Sequence, residues 1–303
     1  MKGPTSISYS KLGYWRIGGI LEKFYVVESV EELQEVLIEH GKITIVGNGS
    51  NALMSDQGCS SPCVQLGGEF TKLSQTEEGL LCGGGLKNAV FLSRLKKLEL
   101  GGFGCLCGVP GTLGGAIRMN AGTSLGEIGD RVIEIEWLDQ EGNVQKSTKE
   151  QLLFSYRKTS GLPEGAIVTS ILFEASSISD PDMKEESLKI QQHLQRRKET
   201  QPLNLPSCGS VFTNPKGDYA GRLIEQAGLK GRIIGGAQVS DKHANFIVNR
   251  GGASAHDVYD LIALCRSEVY EQFSVILEPE VRLIGDWNSI KWPPEIQSMS
   301  RDM

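Results

Sequence analysis

Hydrophobic and polar positions near the N-terminus follow the period of a strand, then that of a helix, then that of a strand again. The runs FYVVES (24–29) and TIVGNGS (44–50) begin with the apolar and β-branched residues typical of strands. Between them Ser29 and Glu32 form a capping box, and Gly41 supplies a helix stop. The pattern therefore predicts a strand–helix–strand unit whose second strand runs into a glycine loop.

The rest of the chain carries further strand and helix patterns. They predict a helix around Ala89–Leu98, strands at 132–138 and 166–175, a long polar-faced helix beginning near 181, a short helix at Tyr219–Ala227, a strand at 245–250, a helix from Ser254 to about Phe273 and a last strand at 275–284. An Asp-Gln-Glu-Gly-Asn stretch at 139–143 predicts a turn. Changes of character near 80 and 181 predict domain boundaries, so the chain is divided into 1–78, 79–180, 181–287 and a tail, 288–303.

Size and charge exclude several classes of protein. The 303 residues, 39% hydrophobic and 22% charged, describe an ordinary globular protein with room for two or three domains. A net charge of -6 with no Lys/Arg-rich run argues against a nucleic-acid partner. No apolar run approaches the roughly 20 residues of a membrane span, and the N-terminal residues lack the apolar core of a secretory signal.

The cysteines indicate the compartment and argue against a metal site. Seven are present, an odd number, and no CxxC pair or His cluster of zinc spacing accompanies them. We therefore expect free thiols, a cytoplasmic location and no bound metal. His243, alone before an apolar strand, is given no catalytic role.

Glycine is the outlying residue, with nine of the 26 residues from 101 to 126. Such clustering is typical of backbone that approaches a ligand, although turns between short strands are the alternative. Two loops are candidates: VGNGSN (46–51), whose N–H groups are suited to a pyrophosphate, and GFGCLCGVPGTLGGAIRMNAG (102–122). In the second loop Thr112 and Asn120 offer hydrogen-bonding side chains.

Three other segments carry candidate chemistry, each with a simpler structural explanation. In SYRKTS (155–160) the fork of Arg157 suits a carboxylate, unless the arginine is merely on the surface. In PSCGSVFTNP (206–215) Gly209 permits a bend that presents Ser210, unless the serine is satisfied in a turn. On the last strand, alternation puts Glu280 on a polar face, which is otherwise an ordinary solvated face.

The order of these segments resembles one family, the UDP-N-acetylenolpyruvoylglucosamine reductases. The segments that carry the resemblance are WRIGG (15–19), VGNGSN (46–51), CGVPGTLGGAIRMNAG (107–122), YRKTS (156–160), CGSVFTNP (208–215), GGAQVSDKHANFIVN (235–249) and LEPEVRLIG (277–285). The resemblance extends from about residue 11 to 286, and the length is similar to the shorter type of the family.

The resemblance implies an α+β fold, a cofactor and a reaction. Two subdomains (1–78 and 79–180) would form an FAD-binding fold of the vanillyl-alcohol oxidase (PCMH-type) kind, and a C-terminal α+β domain (181–287) would cover the substrate. The family's FAD is non-covalent, NADPH is the hydride donor and the enolpyruvyl UDP-sugar is reduced for peptidoglycan synthesis. The residues implied for FAD are Gly47, Asn48, Gly49, Ser50, Asn51, Gly108, Pro110, Gly111, Thr112, Gly114, Gly115, Asn120 and Gly122.

The resemblance also implies roles for side chains at the substrate. Arg157 and Glu280 match the family's positioning and stabilising pair, and Ser210 matches its proton donor. Arg157, Asn214 and Glu280 would bind the substrate. Glu280 would act directly if it carries a proton, or otherwise by orienting Arg157 or a water. We expect a monomer without a membrane or nucleic-acid partner.

Three places depart from the family pattern, and two other functions stay open. The segment around Leu12–Tyr14 lacks the usual hydroxyl residues ahead of WRIGG. Thr213 stands where the family commonly has Lys or Arg, and Arg118 where a small apolar residue is expected; Arg118 either reaches a phosphate or points to solvent. The alternatives are another FAD oxidoreductase of the same fold, acting on an alcohol or sugar, and a flavin-binding module without activity. Covalent members of the first class use a histidine, and His40 sits at a predicted helix end rather than in a flavin loop.

Overall fold

The computed structural model describes residues 3–179, 181–288 and 290–295, so position 180 and parts of the predicted tail (289 and 296–303) lie outside the described residues. The chain forms two compact units. The first unit comprises residues up to 5, 23–48 and 61–196, and the second comprises 6–22, 49–60 and the residues from 197 onward. Each unit is described separately.

The described chain contains both strands and helices. The strands are β1 (Thr5–Ser8), β2 (Ile20–Val27), β3 (Thr44–Ile45), β4 (Ala52–Met54), β5 (Cys63–Leu66), β6 (Leu73–Gln75), β7 (Leu80–Gly83), β8 (Leu100–Gly101), β9 (Gly122–Thr123), β10 (Gly126–Glu127), β11 (Val132–Leu138), β12 (Val144–Thr148), β13 (Phe154–Ser155), β14 (Lys158–Thr159), β15 (Ile167–Phe173), β16 (Ser176–Ser177), β17 (Ile233–Ile234), β18 (Ala237–Val239), β19 (Ile247–Asn249) and β20 (Arg282–Ile284). The α-helices are α1 (Val30–His40), α2 (Asn88–Lys97), α3 (Leu113–Arg118), α4 (Lys149–Leu152), α5 (Pro181–Thr200), α6 (Ala220–Gln226) and α7 (Ala255–Phe273). Short 3-10 helices lie at Tyr9–Lys11, Gly68–Thr71, Gly104–Leu106 and Ile128–Arg131.

The first unit contains the predicted strand–helix–strand unit. The strands β2 and β3 both pair in parallel with β5, which lies between them. The hydroxyl of Ser29 accepts the N–H of Glu32 at 3.4 Å, and Gly41 ends the helix at a φ of 70°. The Ser29 cap and the Gly41 stop are therefore confirmed, but the capping box is not, because the Glu32 carboxylate accepts the N–H of Glu28 and not that of Ser29. The apolar face of α1 is buried in a core with β2 and β5, which holds the unit together.

A five-stranded antiparallel sheet forms the larger part of the first unit, in the order β12-β11-β15-β7-β6. Its core includes an edge-to-face aromatic cluster in which the rings of Phe91 and Phe103 are 4.8 Å apart and those of Phe103 and Phe173 are 5.3 Å apart. The predicted turn at 139–143 joins β11 to β12. It is stabilised by the carboxylate of Asp139, which accepts the N–H of Asn143 at 2.8 Å.

The second unit is built on α7 and a three-stranded antiparallel sheet, β17-β18-β19. Ser254 caps α7 by accepting the N–H of Asp257 at 3.0 Å, and the Asp257 carboxylate accepts the N–H of Ser254 in return. The indole of Trp15 donates to the carbonyl of Ile247 at 2.7 Å, so the N-terminal WRIGG segment is part of this unit.

The predicted last strand, 275–284, is wrong in extent, because only β20 is regular. The chain changes partner after Glu280: Glu278 accepts the N–H of Thr213 and Glu280 donates its N–H to Val211, whereas β20 pairs in parallel with β4. Pro279 offers no N–H to a ladder, which limits regular pairing in the segment before β20. The predicted alternation persists, since Leu277 and Val281 are buried.

The predicted helices at 89–98, from 181, at 219–227 and at 254–273 are confirmed as α2, α5, α6 and α7, within a few residues at their ends. In the described residues, no helix is both long enough and apolar enough to cross a membrane.

Candidate active site

The glycine loop before α3 is held by hydrogen bonds to the segment that follows β7. Leu113 donates its N–H to Leu86 at 2.9 Å, and Gly114 donates to Gly84 at 2.7 Å. Thr112 is the N-cap of α3, and its hydroxyl accepts the N–H of Gly115 at 3.4 Å. The backbone path of the loop is therefore fixed by the first unit itself.

The glycines of this loop are favoured over other residues for different physical reasons. Gly108 and Gly111 have φ of 74° and 139°, which side chains other than glycine rarely adopt. A Cβ on Gly114 would lie 3.0 Å from the carbonyl oxygen of Gly84, so close packing favours glycine there.

Among the described residues, neither backbone conformation nor crowding requires glycine at position 115. Gly115 is exposed, its φ is not positive, and a Cβ would approach the Thr112 hydroxyl only to 3.5 Å. Glycine inside a helix costs about 1 kcal/mol relative to alanine. A ligand that approaches the backbone closely explains this glycine, and the diphosphate or flavin of the expected FAD fits that description.

Asn88, the first residue of α2, was missed by the sequence reasoning. It is buried, its N–H donates to Gly111 at 3.0 Å and its Nδ2 donates to Val109 at 3.2 Å. Its Oδ1 is buried without a hydrogen-bond partner in the described residues. An unsatisfied buried acceptor costs about 1–3 kcal/mol, so this oxygen also fits a site completed by a ligand or water.

The first glycine loop reaches the second within the first unit. A Cβ on Gly47 would lie 3.1 Å from the Thr112 hydroxyl, and the amide of Gln65 donates to the Gly47 carbonyl at 3.1 Å. Asn48 follows Gly47 and is half-buried. The structure thus brings together Gly47 and Thr112, two residues predicted to bind the same cofactor.

The remaining residues of the first loop, Gly49, Ser50 and Asn51, belong to the second unit. A Cβ on Gly49 would lie 2.8 Å from the Cα of Gly13, so packing alone requires this glycine. Asn51 donates its Nδ2 to the carbonyl of Glu280 at 2.9 Å. The side chain of Asn51 is therefore tied to one of the predicted catalytic residues.

Ser210 and Glu280 lie on neighbouring extended segments of the second unit. Glu280 donates its N–H to Val211 at 2.8 Å, and Val211 donates to Asn245 at 2.9 Å. Gly209 precedes the serine with a φ of 78°, and a Cβ there would meet nothing within 4 Å, so the sharp bend rather than crowding accounts for the glycine. The structure brings these two predicted residues together.

Asn245 is a second residue that the sequence reasoning missed as part of the site. It is buried, its Oδ1 accepts the N–H of Phe212 at 2.9 Å and its Nδ2 donates to the Phe212 carbonyl at 2.8 Å. An asparagine before an apolar strand was the available signal. Its two hydrogen bonds to the backbone of Phe212 act as a clamp, in that they hold the segment that follows Ser210 in place.

The residues after Ser210 have structural partners. The Oδ1 of Asn214 accepts the N–H of Ala220 at 3.1 Å at the start of α6. Thr213 donates its hydroxyl to the carbonyl of Glu278 at 3.3 Å.

Cys208, which precedes Ser210, is buried. Burial raises the pKa of its thiol to about 12 and keeps it protonated at neutral pH.

Arg157 lies in the first unit, at the tip of the tight hairpin β13–β14. Its φ is 57°, its Nη2 donates to the carbonyl of Gly122 at 3.0 Å, and its guanidinium stands 5.1 Å from the centre of the Tyr156 ring. The segment predicted as a loop is therefore a hairpin whose turn presents the arginine. Gly122, predicted for FAD, contacts Arg157 through its carbonyl.

Asn120 is fully buried, and its amide bonds within the first unit. Its Nδ2 donates to the carbonyl of Ser155 at 2.9 Å and to the carboxylate of Glu127 at 2.5 Å. Its Oδ1 accepts the N–H of Gly129 at 3.1 Å. These contacts tie the end of the glycine loop to the hairpin of Arg157.

Arg118 contacts three backbone carbonyls. Its guanidinium donates to Leu162 at 3.2 Å, to Pro163 at 2.7 Å and to Ala166 at 2.5 Å. The sequence led us to expect a phosphate contact or exposure to solvent. Instead, these three hydrogen bonds go to backbone carbonyls of the first unit.

His40 and His243 both form hydrogen bonds to neighbouring residues. His40 ends α1 and hydrogen-bonds to the hydroxyl of Tyr25 at 2.7 Å. The Nδ1 of His243 accepts the N–H of Asn245 at 3.2 Å. Across the described ranges, no group of three or more His, Cys, Asp or Glu side chains is arranged to hold a metal ion.

Two family models match the chain. Residues 22–148 match the model described as an FAD binding domain, and residues 201–284 match the model described as UDP-N-acetylenolpyruvoylglucosamine reductase, C-terminal domain. The predicted α+β FAD-binding fold is confirmed by the first match together with the mixed content of the two units.

Relatives similar over nearly the whole chain carry the same name. A UDP-N-acetylenolpyruvoylglucosamine reductase of a Nostoc species is 40% identical over 91% of this chain and 84% of its own, and that of Clostridioides difficile is 39% identical over 90% of each. The crystal structure of the Thermus caldophilus reductase superposes with a TM-score of 0.80 at 34% identity, covering 92% of this chain and 98% of that chain.

Proposed function

Because the chain belongs to the UDP-N-acetylenolpyruvoylglucosamine reductase family, we propose that it reduces UDP-N-acetylenolpyruvoylglucosamine to UDP-N-acetylmuramate, a step of peptidoglycan precursor synthesis. FAD is the cofactor and NADPH the hydride donor. The observation that carries the proposal is the bond from the Glu280 N–H to Val211, because it holds Glu280 beside the Ser210 segment within the matched reductase domain.

The glycine loops are proposed to hold FAD, which when bound supplies hydride to the substrate. The open backbone at Gly115 and the unsatisfied Oδ1 of Asn88 support this assignment in the first unit. Gly47 and Thr112 line the same part of that unit. Gly49 has a packing explanation, so its contribution would be through its backbone alone.

Arg157 is proposed to bind the carboxylate of the enolpyruvyl group. When the terminal carbon accepts hydride, negative charge develops on the neighbouring carbon and its carboxylate. A guanidinium binds a carboxylate through two parallel hydrogen bonds, and an interaction that strengthens as charge develops lowers the barrier. The left-handed backbone at position 157 supports a fixed presentation of this side chain.

Ser210 is proposed to donate the proton that completes the reduction. A hydroxyl is a weak acid, so it protonates only a strongly basic carbon held in line with its oxygen. The bend at Gly209 and the clamp of Asn245 on Phe212 support a fixed position for Ser210. Glu280, held by Val211 and Asn51, is assigned to positioning the reacting group, and Asn214 to binding the substrate.

Location, assembly and domain division are part of the proposal. The seven free cysteines, six of them buried, support a reducing cytoplasm. We propose a monomer in which 1–78 and 79–180 are the FAD-binding subdomains and 181–287 the substrate domain. The FAD-domain match to 22–148 supports an FAD-binding part that runs across the first two stretches, and the reductase-domain match to 201–284 supports the third.

Purified protein tests the function directly. It should bind FAD, lose its visible flavin absorbance on addition of NADPH without air, and regain that absorbance when the enolpyruvyl UDP-sugar is added. The product should be UDP-N-acetylmuramate by mass spectrometry. Protein that binds FAD and reacts with NADPH but leaves the UDP-sugar unchanged would contradict the proposal and would favour another FAD oxidoreductase.

A further inference from the structure

The guanidinium of Arg118 joins two functional segments of the first unit. Arg118 is the last residue of α3, which follows the glycine loop proposed to hold FAD. Its three carbonyl partners lie at 162–166, between the hairpin of Arg157 and β15. Hydrogen bonds from a charged donor are stronger than those between neutral groups, and only a guanidinium offers five donors in one plane.

A threonine makes a second link between the same segments. Thr159, the last residue of the hairpin, is buried and donates its hydroxyl to the carbonyl of Ile117 at 2.5 Å. That carbonyl belongs to the last turn of α3, and it also accepts the N–H of Asn120 at 3.1 Å. The hairpin therefore adds a buried side-chain hydrogen bond to the end of the helix.

Two further links complete the connection. Asn120 donates to Ser155, and Arg157 donates to Gly122. Asn120 and Arg157 both have left-handed backbones, with φ of 42° and 57°. Such conformations are unfavourable for residues other than glycine and persist where the surroundings fix them.

We propose that Arg118 is a positioning residue: it couples occupancy of the glycine loop at 108–122 to the orientation of Arg157 on its hairpin. FAD bound at the loop fixes α3, α3 holds 159–166 through Arg118 and Thr159, and the hairpin between them is fixed in turn. Coupling of this kind is reciprocal, so an ordered hairpin also strengthens FAD binding. The inference rests on the proposed function for the FAD site at the glycine loop and for the role of Arg157.

The test uses exchange of backbone hydrogens, which does not depend on turnover. In the wild-type protein, FAD should slow hydrogen–deuterium exchange in peptides spanning 153–166. In Arg118→Met that protection should be lost, and the Kd for FAD should rise about tenfold, within the range usual for coupled sites. Arg118→Lys should restore part of both effects, because one ammonium replaces part of the fork.

Two matched controls separate coupling from general damage. Arg94→Met removes a half-buried arginine that donates to the Thr71 carbonyl in the same unit, and Thr169→Val removes a buried threonine hydroxyl that donates to Glu136. Both should keep the wild-type protection at 153–166. Thr159→Val should lose it, and this variant carries the test if Arg118→Met does not fold.

Kinetics then connect the coupling to the reaction. In FAD-saturated Arg118→Met, loss of flavin absorbance with NADPH should keep its rate, whereas recovery with the UDP-sugar should slow about tenfold. Unchanged protection at 153–166 in both Arg118→Met and Thr159→Val would overturn the inference. If wild-type protein fails to reduce the UDP-sugar while FAD still protects 153–166, the proposed function fails and the coupling stands.

Discussion

Gly115 is the most informative single residue of the first unit, because neither crowding nor backbone conformation among the described residues requires glycine there. Gly115 sits in α3 with room for a side chain, whereas its neighbour Gly114 packs against the Gly84 carbonyl. Sequence reasoning groups the two together, because composition reports only that glycine is present. The backbone geometry separates the glycine that packing needs from the glycine that a ligand needs.

Gly115→Ala tests this distinction. Without FAD the variant should be more stable to urea by up to about 1 kcal/mol, since alanine favours the helix. Its affinity for FAD should fall by about tenfold or more, because an intruding methyl costs about 1–3 kcal/mol. The comparison is with Gly114→Ala, which should lose stability without FAD. Equal FAD affinity in Gly115→Ala and wild type would remove the ligand explanation.

His243 gives a prediction on pH at the same scale. Burial lowers the pKa of His243 below its ordinary value of 6.5. Between the lowered pKa and 6.5 the unfolded chain holds a proton that the folded chain does not, so acidification favours unfolding. The free energy of unfolding should therefore fall as the pH drops below about 6.5.

The substitution His243→Asn isolates that contribution, because an amide oxygen can accept the Asn245 N–H as Nδ1 does. The variant should lose less stability than the wild type between about pH 7 and about pH 5, measured by urea denaturation. Identical slopes in the two proteins would show that His243 does not titrate as argued.

At the scale of elements, helices were predicted better than strands. The Ser29 and Ser254 caps announce their helices locally, and the structure has both. The strands β4 and β5 were missed, since each is four residues or fewer and pairs with distant segments. A strand is completed by a partner elsewhere in the chain, and sequence periodicity does not report the partner.

The cap of α7 gives a prediction about an element. Ser254→Ala removes the hydroxyl that accepts the Asp257 N–H. The free energy of unfolding should fall by about 1 kcal/mol, the usual cost of losing an N-cap. Denaturation in urea measures it. Both half-reactions should keep their rates where the variant is folded, so a large loss of rate would show that α7 has a role beyond support.

At the scale of the molecule, the order of motifs predicted more than any motif alone. Spacing by itself favoured a turn for Ser210 and a solvated face for Glu280, and the family resemblance assigned both to the substrate. Sequence gave no indication that residues 6–22 and 49–60 join the C-terminal unit. That arrangement depends on contacts such as Trp15 with Ile247, which lie 232 positions apart.

The role of Arg118 was also beyond the sequence. From the sequence, the expected partner of Arg118 was a phosphate or solvent, because those are the usual partners of an exposed arginine. The three carbonyls at 162–166 lie more than forty positions away and become neighbours only in the folded first unit. A departure from a family pattern therefore needed the structure for its explanation.

The central claim is that Ser210 delivers the proton in the step that consumes the UDP-sugar, and anaerobic stopped-flow measurement of Ser210→Ala tests it most directly, with Ser254→Ala as the matched serine control. We predict that loss of flavin absorbance with NADPH keeps nearly its wild-type rate, and that recovery with the UDP-sugar slows by about 10²–10⁴-fold, the usual contribution of a positioned acid. Wild-type rates for both half-reactions in Ser210→Ala would contradict the account.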